Sequence, residues 1–424
     1  MVGYEQLGNL CKKEGHLTEA RQQFERALAI AEQLAESNAG YAREDLSAIC
    51  CNLGEIFEEE NRLSEAHRFY ERAVRLAENA AEEHTGAQAQ RTLANSYDNL
   101  GDLLLKEDAV AESHMYYSKS LEIRKKLAEE TQTLRAQREY ADSCNRLGAT
   151  FLKDGNPEEA LRYYTQALTI RKSVAAVADT AVILSELAAD YTHIGKAFYV
   201  KEAFEEAGQY YEKALGIYQQ LAKTTDTISV RRKLSASHSE VGFILYRTGN
   251  LAEARHHYEI ALSITEKLAE DTQALLDRHN AAVIYGLQGQ ICQEEGDLDG
   301  AQACFLSFID IVQTEPDVLQ KQHSLIAGYE QLSAIFQAKG DTEQARLYGS
   351  YALSIHEQIT TKIDRPQAWE ALALSYCRLA LLSDAETEQK LLQKALSLYE
   401  ELCRKYPNME TYENNRNTIV SMLS

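Results

Sequence analysis

The side chains that most often do chemistry in proteins are scattered along this sequence and form no recognisable catalytic motif. The sequence has no GxxxxGK[ST] phosphate loop, no HExxH zinc motif, no GxSxG nucleophile elbow and no GxGxxG motif after a predicted strand. Its eight cysteines include no CxxC pair, which argues against a structural zinc site or a disulfide framework. We therefore expect no enzymatic activity, no cofactor and no metal ion.

Two pairs of adjacent residues carry side chains that bind metals in other proteins: His256 with His257, and Cys50 with Cys51. Adjacent residues on a helix point about 100° apart, so neither pair is expected to share one metal ion. The two histidines are typical of surface or packing positions on a helix. Of the two cysteines, we expect one to be buried and the other to face a groove.

The net charge limits the kinds of partner. The 424 residues include 44 Lys and Arg against 65 Asp and Glu, which gives a formal net charge of −21. This charge repels phosphate backbones, so binding to nucleic acid is not expected. No apolar run reaches the ~20 residues that cross a bilayer, and the first residues lack the pattern of a signal peptide. We therefore expect no membrane partner and a cytoplasmic location.

A small residue, usually a glycine after leucine, recurs about every 47 residues and divides the chain into nine units. We call it the anchor of each unit. Apolar or aromatic residues stand one and four positions before most anchors, which is the spacing of one helix face. A second helix that crosses closely would explain the small anchor, because a larger side chain would hold the two backbones apart. The anchors are Gly8, Gly54, Gly101, Gly148, Gly195, Gly242, Gly289, Ser333 and Ala380.

Seven residues after the anchor, the first helix of each unit is expected to stop. A left-handed backbone conformation suits this stop, and glycine, asparagine and aspartate tolerate it. Glu202 is the exception, so we expect a distorted or longer helix around it. A second helix of about 22 residues follows, with alanine, an aromatic residue four positions later and a further alanine three beyond that. The stop residues are Gly15, Asn61, Asp108, Gly155, Glu202, Gly249, Gly296 and Gly340.

This combination of Leu-Gly, a glycine stop and Ala-x-x-x-aromatic-x-x-Ala resembles the tetratricopeptide repeat from Tyr4 to about Lys405. The period of about 47 departs from the usual ~34 and is similar to the long-repeat bacterial members and, more distantly, to kinesin light chain repeats. The resemblance implies an all-α fold: a right-handed α-solenoid of about nine helical hairpins over residues 1–405 and a capping helix over 406–424. HEAT and armadillo arrays share the period without explaining the small residues, and they are the alternative fold.

The resemblance also implies that the first helices line a concave groove. The positions facing it are those three and two before each anchor, and one and four after it. In the first four units they are rich in amides and carboxylates, which favours a basic or extended peptide, because asparagine offers both a donor and an acceptor. Further along, an apolar floor that includes Leu105 follows. The predicted peptide-binding residues are Asn9, Asn52, Glu55, Glu58, Asn95, Asp98, Asn99, Asp102, Asn145, Arg146, Leu152, Lys196, Tyr199, Phe243 and Tyr246.

These features predict a noncatalytic scaffold that binds a peptide or protein segment with basic and apolar residues. Glu5, Asn52 and Asp98 stand where family members that bind carboxylate-terminal peptides carry a basic clamp, so such a ligand is disfavoured. In an alternative interpretation, the acidic residues form an ordinary solvated face, and the apolar residues pack inside a tight superhelix.

Two other functions stay open. One is the sensor portion of a larger bacterial signalling or effector protein. The short first helix favours it, since we then expect the chain to be cut from a longer protein. The other is a structural scaffold that self-associates as a homo-oligomer.

Overall fold

The computed structural model describes residues 1–37, 39–83, 86–178, 180–316 and 319–424. These segments consist of α-helices joined by short turns. The helices are α1 (Val2–Lys13), α2 (Leu17–Ser37), α3 (Ala39–Glu59), α4 (Leu63–Glu83), α5 (Ala87–Lys106), α6 (Val110–Thr131), α7 (Leu134–Lys153), α8 (Pro157–Val177), α9 (Ala181–Val200), α10 (Phe204–Thr224), α11 (Ile228–Arg247), α12 (Leu251–Thr272), α13 (Leu275–Glu294), α14 (Leu298–Gln313), α15 (Leu319–Ala338), α16 (Thr342–Lys362), α17 (Pro366–Ala380), α18 (Ala385–Lys405) and α19 (Glu410–Leu423).

Helices α1 to α18 form nine hairpins within the described residues, and the prediction of an all-α solenoid is confirmed. We number the hairpins 1 to 9, from α1–α2 to α17–α18. The first helices of neighbouring hairpins also meet, as in the pairs α3 with α5, α7 with α9, and α11 with α13. Each second helix is 21 or 22 residues long except α14, which has 16, close to the predicted length.

The contacts divide the chain into two compact parts, Met1–Leu221 and Ala222–Ser424, which we call the N-terminal half and the C-terminal half. Hairpins 1 to 4 belong entirely to the N-terminal half, and hairpins 6 to 9 to the C-terminal half. The last helix, α19, packs against α18 and buries Tyr412 and Ile419.

In hairpins 1 to 7 the anchor glycine packs against the aromatic ring that lies 16 residues later, on the second helix. A Cβ atom built on each of these glycines would lie between 2.5 and 3.2 Å from that ring. Any larger residue would therefore push the ring and its helix outward. The pairs are Gly8 with Phe24, Gly54 with Tyr70, Gly101 with Tyr117, Gly148 with Tyr164, Gly195 with Tyr211, Gly242 with Tyr258, and Gly289 with Phe305.

The turn inside hairpins 1 to 8 uses one left-handed residue, as predicted for seven of the eight stops. The expectation for Glu202 was wrong: this residue also adopts a positive φ, of 60°, and α9 ends normally at Val200. Its backbone N–H donates to the carbonyl of Tyr199 at 2.9 Å, and that of Ala203 donates to Phe198 at 3.0 Å. Because these bonds and the stacking of the two helices define the turn, the glutamate takes a conformation that its side chain disfavours.

Candidate functional site

An open cavity of about 570 Å³ lies on the first helices of hairpins 2 to 4. The predicted groove positions contribute Glu55 and Glu58 from α3, and Asn99, Asp102 and Leu105 from α5. We call the surface formed by these repeat positions, three and two before the anchor and one and four after it, the first-helix face. The complete lining is Glu55, Glu58, Tyr70, Asn99, Asp102, Leu105, Lys106 and Lys153.

The packing of the anchor glycines fixes the acidic side of this cavity. The ring of Tyr70 lies over Gly54, and its hydroxyl donates to Oε2 of Glu58 at 3.0 Å. Burial, followed by the nearby Glu58 charge, raises the pKa of Tyr70 well above its usual range, so it acts only as a neutral donor. In the next hairpin Tyr117 donates to Asp102 in the same way. Two buried tyrosines therefore orient two carboxylates along the surface.

The three carboxylates that line the cavity each pair with a cation from a neighbouring hairpin. Glu55 pairs with Lys12, Glu58 with Lys106, and Asp102 with Arg146. The predicted acidic stripe is therefore a series of ion pairs between hairpins, with nearly balanced local charge. The sequence interpretation missed Lys106 and Lys153, which occupy the same position in two successive units, five residues after the anchor. This recurrence is visible in the sequence and could have identified the two lysines as residues of the same surface.

Asp98 and Asn95 make hydrogen bonds within hairpin 3. Asp98 is buried, with its Oδ2 accepting from Nη2 of Arg124 at 2.7 Å, and Asn95 accepts from the same nitrogen at 2.7 Å. Burial raises the pKa of Asp98, and the charges of Arg124 and Arg146 oppose that effect. In the structure Asp98 therefore faces an arginine of its own hairpin, while Asn99 lines the open cavity.

A second buried arginine stands 47 residues later, at the equivalent position of hairpin 4. Arg171 is 1% exposed and donates to Asp142 at 2.7 Å, Glu186 at 2.8 Å and Asp190 at 3.1 Å. Asp190 also accepts from the amide of Asn145 at 2.6 Å. These contacts join hairpin 4 to α9 of the next hairpin, and they place the predicted residue Asn145 in this network.

The remaining predicted residues lie elsewhere on the first helices. Asn9 is exposed on α1 and Asn52 is half-buried on α3. On the later hairpins of the N-terminal half, Leu152 and Tyr199 are half-buried and Lys196 is exposed.

Phe243 and Tyr246 belong to the C-terminal half. Both pack against the core cluster that includes Tyr258, and the Tyr246 hydroxyl donates to Glu294 at 2.5 Å. The cavity thus brings together Glu55, Glu58, Asn99 and Asp102 of the predicted set, with Arg146 beside them.

The adjacent cysteines and His257 occupy packing positions, whereas His256 is exposed. Cys50 and Cys51 are both buried, so the expectation that one faces a groove was wrong; hairpin 3 covers Cys51, whose Sγ lies 3.7 Å from the hydroxyl of Ser96. Burial raises the pKa of Cys51 to about 11. His257 meets His238 across hairpin 6, with their Nδ1 atoms 3.1 Å apart.

The described residues contain neither a side-chain cluster suited to a metal ion nor a helix suited to crossing a bilayer. No group of three or more His, Cys, Asp or Glu side chains there is placed to hold a metal ion. Among the helices within those same segments, none combines the length and apolar character that crossing a bilayer needs.

Comparisons with known proteins agree with the repeat architecture. Models described as tetratricopeptide repeat match residues 92–173, residues 3–34 with 47–79, and residues 236–273. A search of curated proteins finds no match to this sequence.

Two solved structures are similar to the chain in fold. RapI in its apo form is 13% identical, over 81% of this chain and 82% of that one, with a TM-score of 0.54. BtubC from P. vanneervenii is 18% identical, over 59% of this chain and 92% of that one, with a TM-score of 0.50. Sequence identity this low shows a shared fold alone.

Proposed function

This chain belongs to the tetratricopeptide repeat family, and from that premise we propose that it is a noncatalytic scaffold that binds a protein segment on the first-helix face. Tetratricopeptide repeat proteins in general serve as interaction scaffolds. The observation that carries the proposal is the open cavity of about 570 Å³ on hairpins 2 to 4, where four predicted groove residues converge.

The polar side chains of the cavity suit an extended backbone. The amide of Asn99 offers a donor and an acceptor to a single peptide unit. Glu58 and Asp102 are held in place by tyrosine hydroxyls, so little side-chain freedom is lost when they accept a hydrogen bond from a ligand. Two fixed carboxylates beside the amide of Asn99 can therefore bind the backbone of a peptide whose side chains vary.

A basic side chain of the partner can compete for these carboxylates. Lys106 pairs with Glu58, yet 63% of its side chain is exposed. The side chain of Glu58 is only 15% exposed, so its carboxylate needs a cation, and a ligand lysine or arginine can supply that charge in place of the exposed Lys106. The net charge of −21 adds long-range attraction for a basic partner.

Each half of the chain offers its own apolar residues for contact with apolar side chains of the partner. In the N-terminal half Leu105 lines the cavity, and Leu152 and Tyr199 lie at the same repeat position on hairpins 4 and 5. In the C-terminal half Phe243 and Tyr246 of hairpin 6 provide a second apolar patch. We place the scaffold in the cytoplasm, because its eight cysteines are all free thiols, as is usual in reducing compartments.

A second candidate function is self-association through α1. Tyr4, Leu7 and Leu10 are 36%, 43% and 52% exposed, and the other helices of the described segments leave this face of α1 uncovered. An apolar helix face of this kind suits stacking against a second copy. Light scattering over a range of protein concentrations would show a dimer that Leu7→Glu with Leu10→Glu converts to monomer. A mass that stays monomeric at every concentration would exclude this second function.

Selection of random peptides on the purified chain tests the main proposal. Peptides enriched on the wild-type protein are labelled, and their affinities are measured by fluorescence anisotropy for Asn99→Ala with Asp102→Ala and for a control, Lys126→Ala with Glu130→Ala, on the exposed side of α6. We expect the first variant to bind at least about tenfold more weakly and the control to match the wild type. Equal affinity for both variants, or failure to enrich any peptide, would overturn the proposal.

A further inference from the structure

Hairpin 8 departs from the glycine and aromatic pairing of hairpins 1 to 7. Its anchor is Ser333, and the residue 16 positions later, where the other seven carry phenylalanine or tyrosine, is Gly349. A Cβ atom on Gly349 would lie 3.3 Å from Cδ1 of Leu379 and 3.4 Å from Oγ of Ser333, and neither neighbour is an aromatic ring. Hairpin 8 therefore lacks the ring that fills this place in hairpins 1 to 7.

Ser333 and Gly349, which replace the glycine and the ring in this hairpin, both line a cavity of about 320 Å³. Ala352, Ser375, Leu379 and Leu382 form its buried walls, each 8% exposed or less. The four first-helix-face positions of α15 line it as well, and they are Glu330, Gln331, Ala334 and Gln337. The cavity therefore opens on the same repeat positions that line the cavity of hairpins 2 to 4.

The volume and the chemistry of this cavity match one aromatic side chain. An apolar cavity of about 150 Å³ is enough to bind benzene, so 320 Å³ accommodates a phenol ring. Gln337 stands four residues after its anchor, the position from which Glu58 accepts the hydroxyl of Tyr70 in hairpin 2. A phenol oxygen placed as in that hairpin would meet an amide that both donates and accepts.

The mouth of the cavity is polar. Two of the lining residues, Glu330 and Arg378, pair with each other, and the side chain of Arg378 is 61% exposed. A polar rim around an apolar slot is the arrangement of interface pockets that receive one buried anchor residue of a partner.

We propose that this cavity receives a tyrosine side chain of the partner, which completes in trans the ring contact that hairpins 1 to 7 make within the chain. The inference rests on the proposed function, because the tyrosine is presented by a segment lying on the first-helix face of α15 and α17. It names one specific residue that the partner must carry. The seven internal pairs are the argument for this occupant, since they show what fills the equivalent space in the same backbone.

Isolated side-chain analogues test the cavity without requiring the partner. The full chain, with its leucine methyl groups isotopically labelled, is titrated with N-acetyl-tyrosinamide, N-acetyl-phenylalaninamide and N-acetyl-leucinamide. We expect the methyl resonances of Leu379 and Leu382 to shift with a Kd on the order of 1 mM for the tyrosine compound. The phenylalanine compound should bind about threefold more weakly, because it lacks the hydrogen bond to Gln337. The leucine compound should bind more weakly still.

The matched variant is Ser333→Gly with Gly349→Tyr, which introduces the glycine and aromatic pair found in hairpins 1 to 7. It should keep the melting temperature or raise it, and lose at least about tenfold in affinity for N-acetyl-tyrosinamide. Gln337→Leu should abolish the preference for tyrosine over phenylalanine while both still bind. Absence of shifts at Leu379 and Leu382, equal binding by the filled variant, or equal binding of the leucine compound would overturn the inference. The peptide affinities measured for Asn99→Ala with Asp102→Ala report on the proposed function separately, so either idea can fail alone.

Discussion

The ring of Tyr164 occupies the space in which any residue larger than glycine at position 148 would place its side chain. A Cβ atom on Gly148 would lie 2.7 Å from Cε1 of Tyr164, a distance that real Cβ atoms do not reach. The tyrosine itself is 2% exposed, so it has no open space into which it can retreat. The same contact recurs in seven hairpins, and it sets how closely the two helices of each hairpin approach.

Gly148→Ala should destabilise the protein by about 1–3 kcal/mol, because the added methyl group forces Tyr164 and α8 outward. Gly216→Ala is the control: Gly216 lies inside α10, and nothing lies within 4 Å of its Cβ position. There the alanine should stabilise by about 0.5–1 kcal/mol through helix propensity. Urea unfolding measures both. Equal effects of the two substitutions would show that the ring contact does not limit the packing.

Arg171→Met should destabilise the N-terminal half by about 3–5 kcal/mol, because it leaves Asp142, Glu186 and the fully buried Asp190 without their common cation. Arg162→Ala is the matched control, since Arg162 pairs with Glu159 on an exposed turn of the same helix. That substitution should stay within about 0.5 kcal/mol. Urea unfolding compares the two variants, and an Arg171→Met variant as stable as the wild type would mean that the network is dispensable for stacking.

Glu202→Gly should stabilise the protein by about 0.5–1 kcal/mol, because glycine adopts the positive φ of this turn without strain. The reverse change at the equivalent turn, Gly155→Glu, should destabilise by a similar amount, since Gly155 has a φ of 74°. Thermal unfolding of the two variants checks the pair. If Glu202→Gly destabilised the protein and Gly155→Glu stabilised it, the turn would have to relax when its residue changes.

His238 should make stability depend on pH. Burial, together with the neighbouring His257 and His256, lowers its pKa from 6.5 to about 4. A lowered pKa means that the folded protein holds the neutral ring, so this contribution is present above pH 6.5 and is lost as the pH falls towards 4. The loss amounts to at most about 3 kcal/mol.

The control for His238 comes from the chain itself, because six of the other hairpins, 1, 3, 5, 7, 8 and 9, carry tyrosine at this position. His238→Tyr should lose less stability than the wild type between pH 7 and pH 4.5 in urea unfolding. If the two proteins lose the same amount, His238 does not titrate in this range.

The sequence predicted the elements well, because each hairpin repeats its own local rules. The small anchor, the aromatic residue 16 positions later and the left-handed stop are fixed by contacts within one hairpin, so their spacing was readable. The ion pairs between hairpins could not be read from the sequence. The rotation of one hairpin on the next decides whether Glu58 meets Lys106 or a ligand. For the same reason Asp98, expected on the surface, faces Arg124 instead. Glu202 was misjudged because stacking overrides the preference of a single turn residue.

Site-specific photocrosslinking in the native cell tests the central claim most directly. A benzophenone amino acid replaces Leu105, inside the cavity of hairpins 2 to 4, or Lys126, whose side chain is 76% exposed on α6. We predict that position 105 yields a discrete crosslinked protein and that position 126 does not, with the crosslink at 105 reduced by Asn99→Ala with Asp102→Ala. Equal crosslinking from the two positions, or a crosslink at 105 that the double substitution leaves unchanged, would contradict binding on the first-helix face.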